Sequence, residues 1–361
     1  MVETASTAKI AENKSKEMLS FFKWKTYPEL LENRDYLCQD IERHFLETDY
    51  DKHPLDMVFS YIHPYTGKTI FFYSDLKSYT AASISPSRLR ETLNSLGKSI
   101  ACARDNEQWR IDFSDPEYLG EVRGLLFLLN HDGDYSSDVL SKLNVVAKFE
   151  KEIHRNTSSV ISVENLHIDA GQFVHMMDPT VIVYMQTIRE DIKRLRGSSK
   201  FPMGSKNYYF FYPNLEIHRT QGEEVNFPAT IETLCGPYLI IGNYLTEQQD
   251  PEDSDKTIKF PPSFIVYYRL SGETQDEFLF LIDQLARFQM FNNKKLINVR
   301  QIHLNPHQNA EVNFNNALQE YNRIWSVNGL DPIGQNQLTF NQIPNLEKKF
   351  LSAPLNGARH L

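Results

Sequence analysis

The pattern of apolar and polar residues is most distinctive between residues 53 and 79. Two strongly apolar runs, Met57–Ile62 and Thr69–Leu76, are separated by the sequence Pro-Tyr-Thr-Gly. Runs of this length, rich in aromatic and β-branched residues, are typical of strands, and proline and glycine are typical of a tight turn. The pattern therefore predicts a β-hairpin.

Charged residues lie at the open end of this hairpin. A turn centred between Tyr65 and Thr66 places Asp56 opposite Asp75, and opposed residues of an antiparallel pair point to the same face. Lys77 returns to that face because side chains alternate along a strand. Two carboxylates so close together repel each other, so we expect a divalent cation to compensate them.

The segments around the hairpin predict an α/β unit. Residues 1–20 are polar and predict a loose or helical lead-in, and Pro28–Glu47 has apolar residues near helical spacing. After the hairpin, Ser85–Arg104 predicts a second helix, and the apolar run Val122–Leu129 predicts a buried parallel strand. The predicted order is helix, strand, strand, helix, strand.

The chain beyond this unit is mixed α/β. We predict a lead-in over 1–24, a first domain over 25–150 and a C-terminal region over 151–361. Within that region 246–260 is acidic and polar, which indicates a long exposed loop and a possible further boundary. The segments around it predict a βαβα pattern with no catalytic signature.

Composition narrows the classes of function. The formal net charge of −9 argues against a protein that binds nucleic acid through bulk electrostatics alone. The polar N-terminus has no hydrophobic signal core and no run is apolar enough to cross a membrane, so we expect a cytoplasmic protein without a membrane partner. Cys38, Cys102 and Cys235 are widely spaced, which predicts reduced, buried thiols and no metal cluster.

The residues at the hairpin end resemble the PD-(D/E)XK nuclease superfamily, which has the restriction-endonuclease-like fold. Pro54-Leu55-Asp56 corresponds to the first element of that motif, and Asp75-Leu76-Lys77 corresponds to the second. The tripeptide alone has little specificity, because Asp191-Ile192-Lys193 and two other copies also occur. Only the copy at Asp75 ends an apolar strand, faces a second acid and precedes a crossover helix.

The resemblance implies a fold and a set of site residues. The fold is a helix, a three-stranded meander, a crossover helix and a strand. Asp56, Asp75 and the backbone carbonyl of Leu76 would hold Mg²⁺ or Mn²⁺, and Lys77 would deprotonate or orient the attacking water. The family often adds an acid from its first helix, for which Glu42 is our candidate, with Glu47 as the alternative.

The sequence thus predicts a Mg²⁺-dependent nuclease that acts on DNA in preference to RNA. The large C-terminal region suggests substrate recognition, a homo-oligomer or a protein partner or activator, similar to effectors of bacterial antiphage defence. Two alternatives stay open. One is a catalytically inactive, nuclease-like regulatory subunit of a larger complex, and the other is an α/β interaction scaffold in which Asp56 and Asp75 do not share a face.

Overall fold

The computed structural model describes residues 5–27, 31–44, 51–113, 120–135, 139, 166, 168–213, 215, 226–250, 255–292, 295–326 and 331–345. The chain divides into two compact units, and the boundary between them in the sequence lies between residues 183 and 184. The predicted boundary near residue 150 lies outside the described residues. None of the described helices is long and apolar enough to cross a membrane.

The N-terminal unit contains a mixed five-stranded sheet. Its elements in chain order are α1 (Ala5–Phe21), β1 (Lys25–Thr26), β2 (Arg34–Leu37), α2 (Ile41–His44), β3 (Lys52–Leu55), β4 (Met57–Ile62), β5 (Thr69–Tyr79), α3 (Pro86–Ala103), α4 (Glu107–Phe113), β6 (Glu121–Asn130) and β7 (Val174–Met177). The strand order is β1-β4-β5-β6-β7, and β2 pairs with β3 in a separate hairpin.

The predicted order of helix, meander, crossover helix and strand is confirmed. The meander consists of β1, β4 and β5, which pair in antiparallel fashion, and β6 runs parallel to β5 after the crossover helix α3. The first helix is α1, and the β2–α2–β3 segment is inserted within the meander. The fold class is therefore α/β, as predicted.

The predicted helix over Pro28–Glu47 is wrong in its described part. Residues Arg34–Leu37 form β2, which pairs with β3, and only the single turn Ile41–His44 is helical. Side chains alternate around Tyr36 as they do in a strand. Its buried ring packs against Trp109, while the neighbouring side chains of β2 point to the other side. Tertiary pairing has overridden the approximate helical spacing of the leucines.

The two faces of β5 pack against different helices. Phe71 and Tyr73 belong to the core formed with α3 and β6. On the opposite face, Phe72 stacks on Trp24, which follows α1, with ring centroids 4.7 Å apart. Because side chains alternate, the odd-numbered residues of β5 lie on the α3 side of the sheet.

The C-terminal unit has a second five-stranded sheet, with strand order β14-β13-β12-β9-β8. Its elements are α5 (Pro179–Gly197, shared with the N-terminal unit), β8 (Tyr208–Phe210), α6 (Ile231–Cys235), β9 (Tyr238–Asn243), β10 (Thr246–Gln249), β11 (Thr257–Phe260), β12 (Ser263–Tyr268), α7 (Gln275–Arg287), β13 (Leu296–Gln301), α8 (Ala310–Ser326) and β14 (Leu338–Gln342). Strands β12, β13 and β14 are parallel. The predicted loop over 246–260 instead contains the β10–β11 hairpin.

Candidate active site

The register of the β4–β5 hairpin brings two acids to the same face. The pairs run from Ile62 opposite Thr69 to Met57 opposite Ser74, which is the predicted register. Continued one step beyond the paired residues, this register places Asp56 opposite Asp75. The scaffold alternative, which required these two acids to lie on different faces, is thereby disfavoured.

Backbone contacts fix the position of Asp56. Its Oδ2 accepts a hydrogen bond from the Leu76 N–H at 2.7 Å, and its carbonyl oxygen accepts one from the Asn33 N–H at 3.0 Å. The first of these bonds attaches the carboxylate to the middle residue of the Asp-Leu-Lys motif. Asp56 is therefore held by β5 on one side and by the loop before β2 on the other.

Tyr73 fixes the strand that leads into Asp56. Its hydroxyl lies 3.0 Å from the carbonyl oxygens of both His53 and Pro54, and its ring is 1% exposed. Burial raises the pKa of Tyr73 far above its ordinary value, so the hydroxyl stays protonated and can donate. Tyr73 is not part of the motif predicted from the sequence, although its position two residues before Asp75 places it on the same face.

Lys77 lies beside Asp75, as the alternation along β5 predicts. Its Nζ is 2.6 Å from Asp75 Oδ1, and the two side chains are 25% and 23% exposed. This partial exposure leaves the ion pair accessible from solvent while its strand stays in the core. The strand end thus presents a cation and two carboxylates on the α3 side of the sheet.

The donor set of this strand end fits a hard divalent cation. Asp56 and Asp75 supply carboxylate oxygens and Leu76 supplies a backbone carbonyl, and Mg²⁺ prefers oxygen ligands and commonly uses only one or two carboxylates. Asp56 and Asp75 are both only partly exposed. A cation here would also relieve the repulsion between the facing carboxylates.

The family's additional acid stays a prediction, but the candidate Glu42 does not lie in the first helix α1. Glu42 is exposed in the short helix α2, and Glu47 lies outside the described residues. Among the described residues, two cysteines and two histidines bring four possible metal-ligand atoms close together at a different place in the unit. This group includes neither Glu42 nor Asp56.

The spacing of the cysteines predicted no metal cluster, whereas two of them lie in this group of possible ligands. Cys38 and Cys102 lie together with His44 and His53, and all four side chains are buried. Sequence spacing could not reveal the group, because its members come from four separate elements and are up to 64 residues apart.

Comparison with known proteins identifies the N-terminal part of the chain. Residues 1–167 match the family model described as GAPS4 protein PD-(D/E)XK nuclease domain. No curated protein and no solved structure matches the chain. Residues 1–167 are thus similar to a PD-(D/E)XK nuclease domain, which confirms the superfamily resemblance drawn from the hairpin.

Proposed function

We propose that this protein is a Mg²⁺- or Mn²⁺-dependent nuclease that hydrolyses phosphodiester bonds, with DNA as its substrate. Asp56, Asp75 and the carbonyl of Leu76 hold the cation, and Lys77 acts on the attacking water. The observation that carries the proposal is the 2.6 Å contact between Lys77 and Asp75 at a strand end that faces Asp56.

Each residue has a separate task in this reaction. A divalent cation held by Asp56, Asp75 and the Leu76 carbonyl would supply positive charge near the phosphate and make the attacking water more acidic. Lys77 contributes a positive charge where the pentacovalent transition state gains negative charge, and it orients the water. Asp56 is held in place by the Leu76 N–H, which reduces the reorganisation needed before the reaction.

The matching family supports nucleic acid as the binding partner and antiphage defence as the setting. GAPS4 is an antiphage defence system, so we propose that this chain is a cytoplasmic effector of such a system. The net charge of −9 limits binding through bulk electrostatics, so we assign substrate recognition to local surfaces and to a protein partner or activator.

The C-terminal unit offers one such surface. A cavity of about 650 Å³ is lined by Arg194, Lys200 and several asparagine side chains. Amide and cationic groups bind phosphate oxygens without reading a base sequence. We propose that this unit contributes to substrate recognition or to assembly.

The test compares the wild type with Lys77→Met on plasmid DNA and on structured RNA, with Mg²⁺ or Mn²⁺. The matched control is Lys193→Met, which removes the lysine of another Asp-x-Lys string from the exposed side of α5. We expect Lys77→Met to lower DNA cleavage by about 10²- to 10⁴-fold and Lys193→Met to leave it unchanged.

The outcomes separate the alternatives. Equal cleavage by the wild type and Lys77→Met contradicts the assigned site. Cleavage of RNA alone, with the same dependence on Lys77, corrects the substrate. If the wild type cleaves neither substrate and Asp75→Asn leaves its Mn²⁺ affinity unchanged, the nuclease proposal is wrong and the regulatory subunit is favoured.

A further inference from the structure

Four buried side chains with metal-binding atoms meet behind the inserted segment. Cys38 follows β2, His44 ends α2, His53 lies in β3 and Cys102 lies in the last turn of α3. Their exposed fractions are 8%, 7%, 2% and 4%, respectively. One ligand atom from each residue lies within 4.8 Å of the ligand atoms of the other three.

The distances among the ligand atoms of Cys38, Cys102 and His44 match the edges of a tetrahedron around zinc. With Zn–S near 2.3 Å and Zn–N near 2.0–2.1 Å, a tetrahedral site has S···S edges of about 3.8 Å and S···N edges of about 3.5 Å. The two sulfur atoms are 3.6 Å apart, and His44 Nδ1 lies 3.4 Å from Cys38 Sγ and 3.3 Å from Cys102 Sγ.

Backbone donors point at both sulfur atoms. The Asp40 N–H donates to Cys38 Sγ at 3.4 Å, and the Gln39 N–H donates to Cys102 Sγ at 3.3 Å. Hydrogen bonds to a sulfur atom favour the thiolate form, and metal ligands are commonly oriented by such outer contacts. This is an observation independent of the ligand distances, and it favours two thiolates that share a cation.

We propose that Cys38, His44, His53 and Cys102 form a structural Zn²⁺ site. Two thiolates and two imidazoles are the ligand set of closed, tetrahedral zinc sites, and their softness selects zinc over Mg²⁺. The site is distinct from the oxygen ligands at Asp56 and Asp75, and it does not depend on the proposed nuclease reaction.

The zinc site would attach the insertion to the nuclease core. Three of its ligands come from the β2–α2–β3 segment and the fourth comes from α3, which packs on the central sheet. His53 lies in β3, three residues before Asp56, so zinc would also stabilise the path of the chain into the candidate active site.

The test measures the metal content of protein purified under reducing conditions without added metal. We expect about one Zn²⁺ per chain in the wild type. Cys235→Ser, which changes the remaining cysteine, and Asp75→Asn, which changes the other metal site, should keep this content. Cys102→Ser should lose most of it.

A second measurement uses the wild type alone and so does not depend on whether Cys102→Ser folds. Chelation should lower the melting temperature, and added Zn²⁺ should restore it. Co²⁺ in place of Zn²⁺ should give the visible absorption of a tetrahedral ion together with thiolate-to-metal charge transfer.

Three results would overturn the proposal. The first is wild-type protein that contains no zinc and gives no thiolate–Co²⁺ band. The second is full zinc content in soluble Cys102→Ser. The third is a Cys38–Cys102 disulfide in the protein as purified. The last result would identify the pair as a redox couple.

Discussion

The hydroxyl of Tyr73 provides a sharp test of how Asp56 is positioned. Tyr73→Phe removes one oxygen atom, keeps the ring that stacks on Trp109 and leaves the charges of the site unchanged. It removes the donor that faces the carbonyl oxygens of His53 and Pro54, both at 3.0 Å.

The expected magnitude follows from burial. A net hydrogen bond is worth about 0.5–1.5 kcal/mol, and a buried acceptor left without its donor costs about 1–3 kcal/mol. Because Tyr73 is 1% exposed, we expect its loss to reduce the free energy of unfolding by about 1–3 kcal/mol. If β3 then shifts by a fraction of an ångström, cleavage should fall by about 10- to 100-fold.

Tryptophan fluorescence can report on the N-terminal unit during urea unfolding. Trp24 and Trp109 are 3% and 2% exposed in that unit, whereas Trp325 of the C-terminal unit is already 42% exposed. Tyr212→Phe is the matched control, because the Tyr212 hydroxyl donates to the Pro228 carbonyl at 2.6 Å within the C-terminal unit. This control should leave both the fluorescence transition and the cleavage rate unchanged.

An unchanged unfolding free energy in Tyr73→Phe would refute the stability argument. A normal cleavage rate in a clearly destabilised variant would refute the positioning argument, since β3 would then not need this contact to place Asp56.

Three further predictions concern both units. Asp56→Asn keeps an acceptor for the Leu76 N–H and should cost about 1 kcal/mol of stability or less, whereas Asp56→Ala should cost about 1–3 kcal/mol. Both variants should abolish cleavage. Equal losses of stability would contradict the role of this hydrogen bond. Gly124→Ala should cost about 1–3 kcal/mol in urea unfolding, because its Cβ would lie 2.9 Å from a leucine of α3. Burial disfavours the charged form of Asp191, but the Arg300 guanidinium holds the pKa of this carboxyl below its usual value. The C-terminal unit should therefore lose stability as the pH falls below about 4. Arg300→Met should remove this acid-dependent loss in thermal unfolding.

The hairpin could be predicted because its information is local. The turn residues fix the register, and the register alone determines that Asp56 lies opposite Asp75. The central strand β6 was also predictable, since its continuous apolar run is typical of a strand buried on both faces.

The inserted segment could not be predicted from local pattern. The strand around Tyr36 depends on pairing with β3 and on the ring of Trp109, which lies 73 residues further along the chain. The Cys and His group likewise exists only after four elements have packed together. In both cases the determining contacts are long-range, and a periodicity argument does not contain them.

Strand β6 follows the proposed catalytic residues in the chain. Every residue proposed for cleavage lies before Ser78, whereas the strand that covers the far edge of β5 begins only at Glu121. A nascent chain or fragment that ends at Phe113 therefore contains the whole catalytic set beside an unpaired strand edge, which favours aggregation. We expect such fragments to be inactive, because β5 lacks the parallel neighbour that β6 supplies.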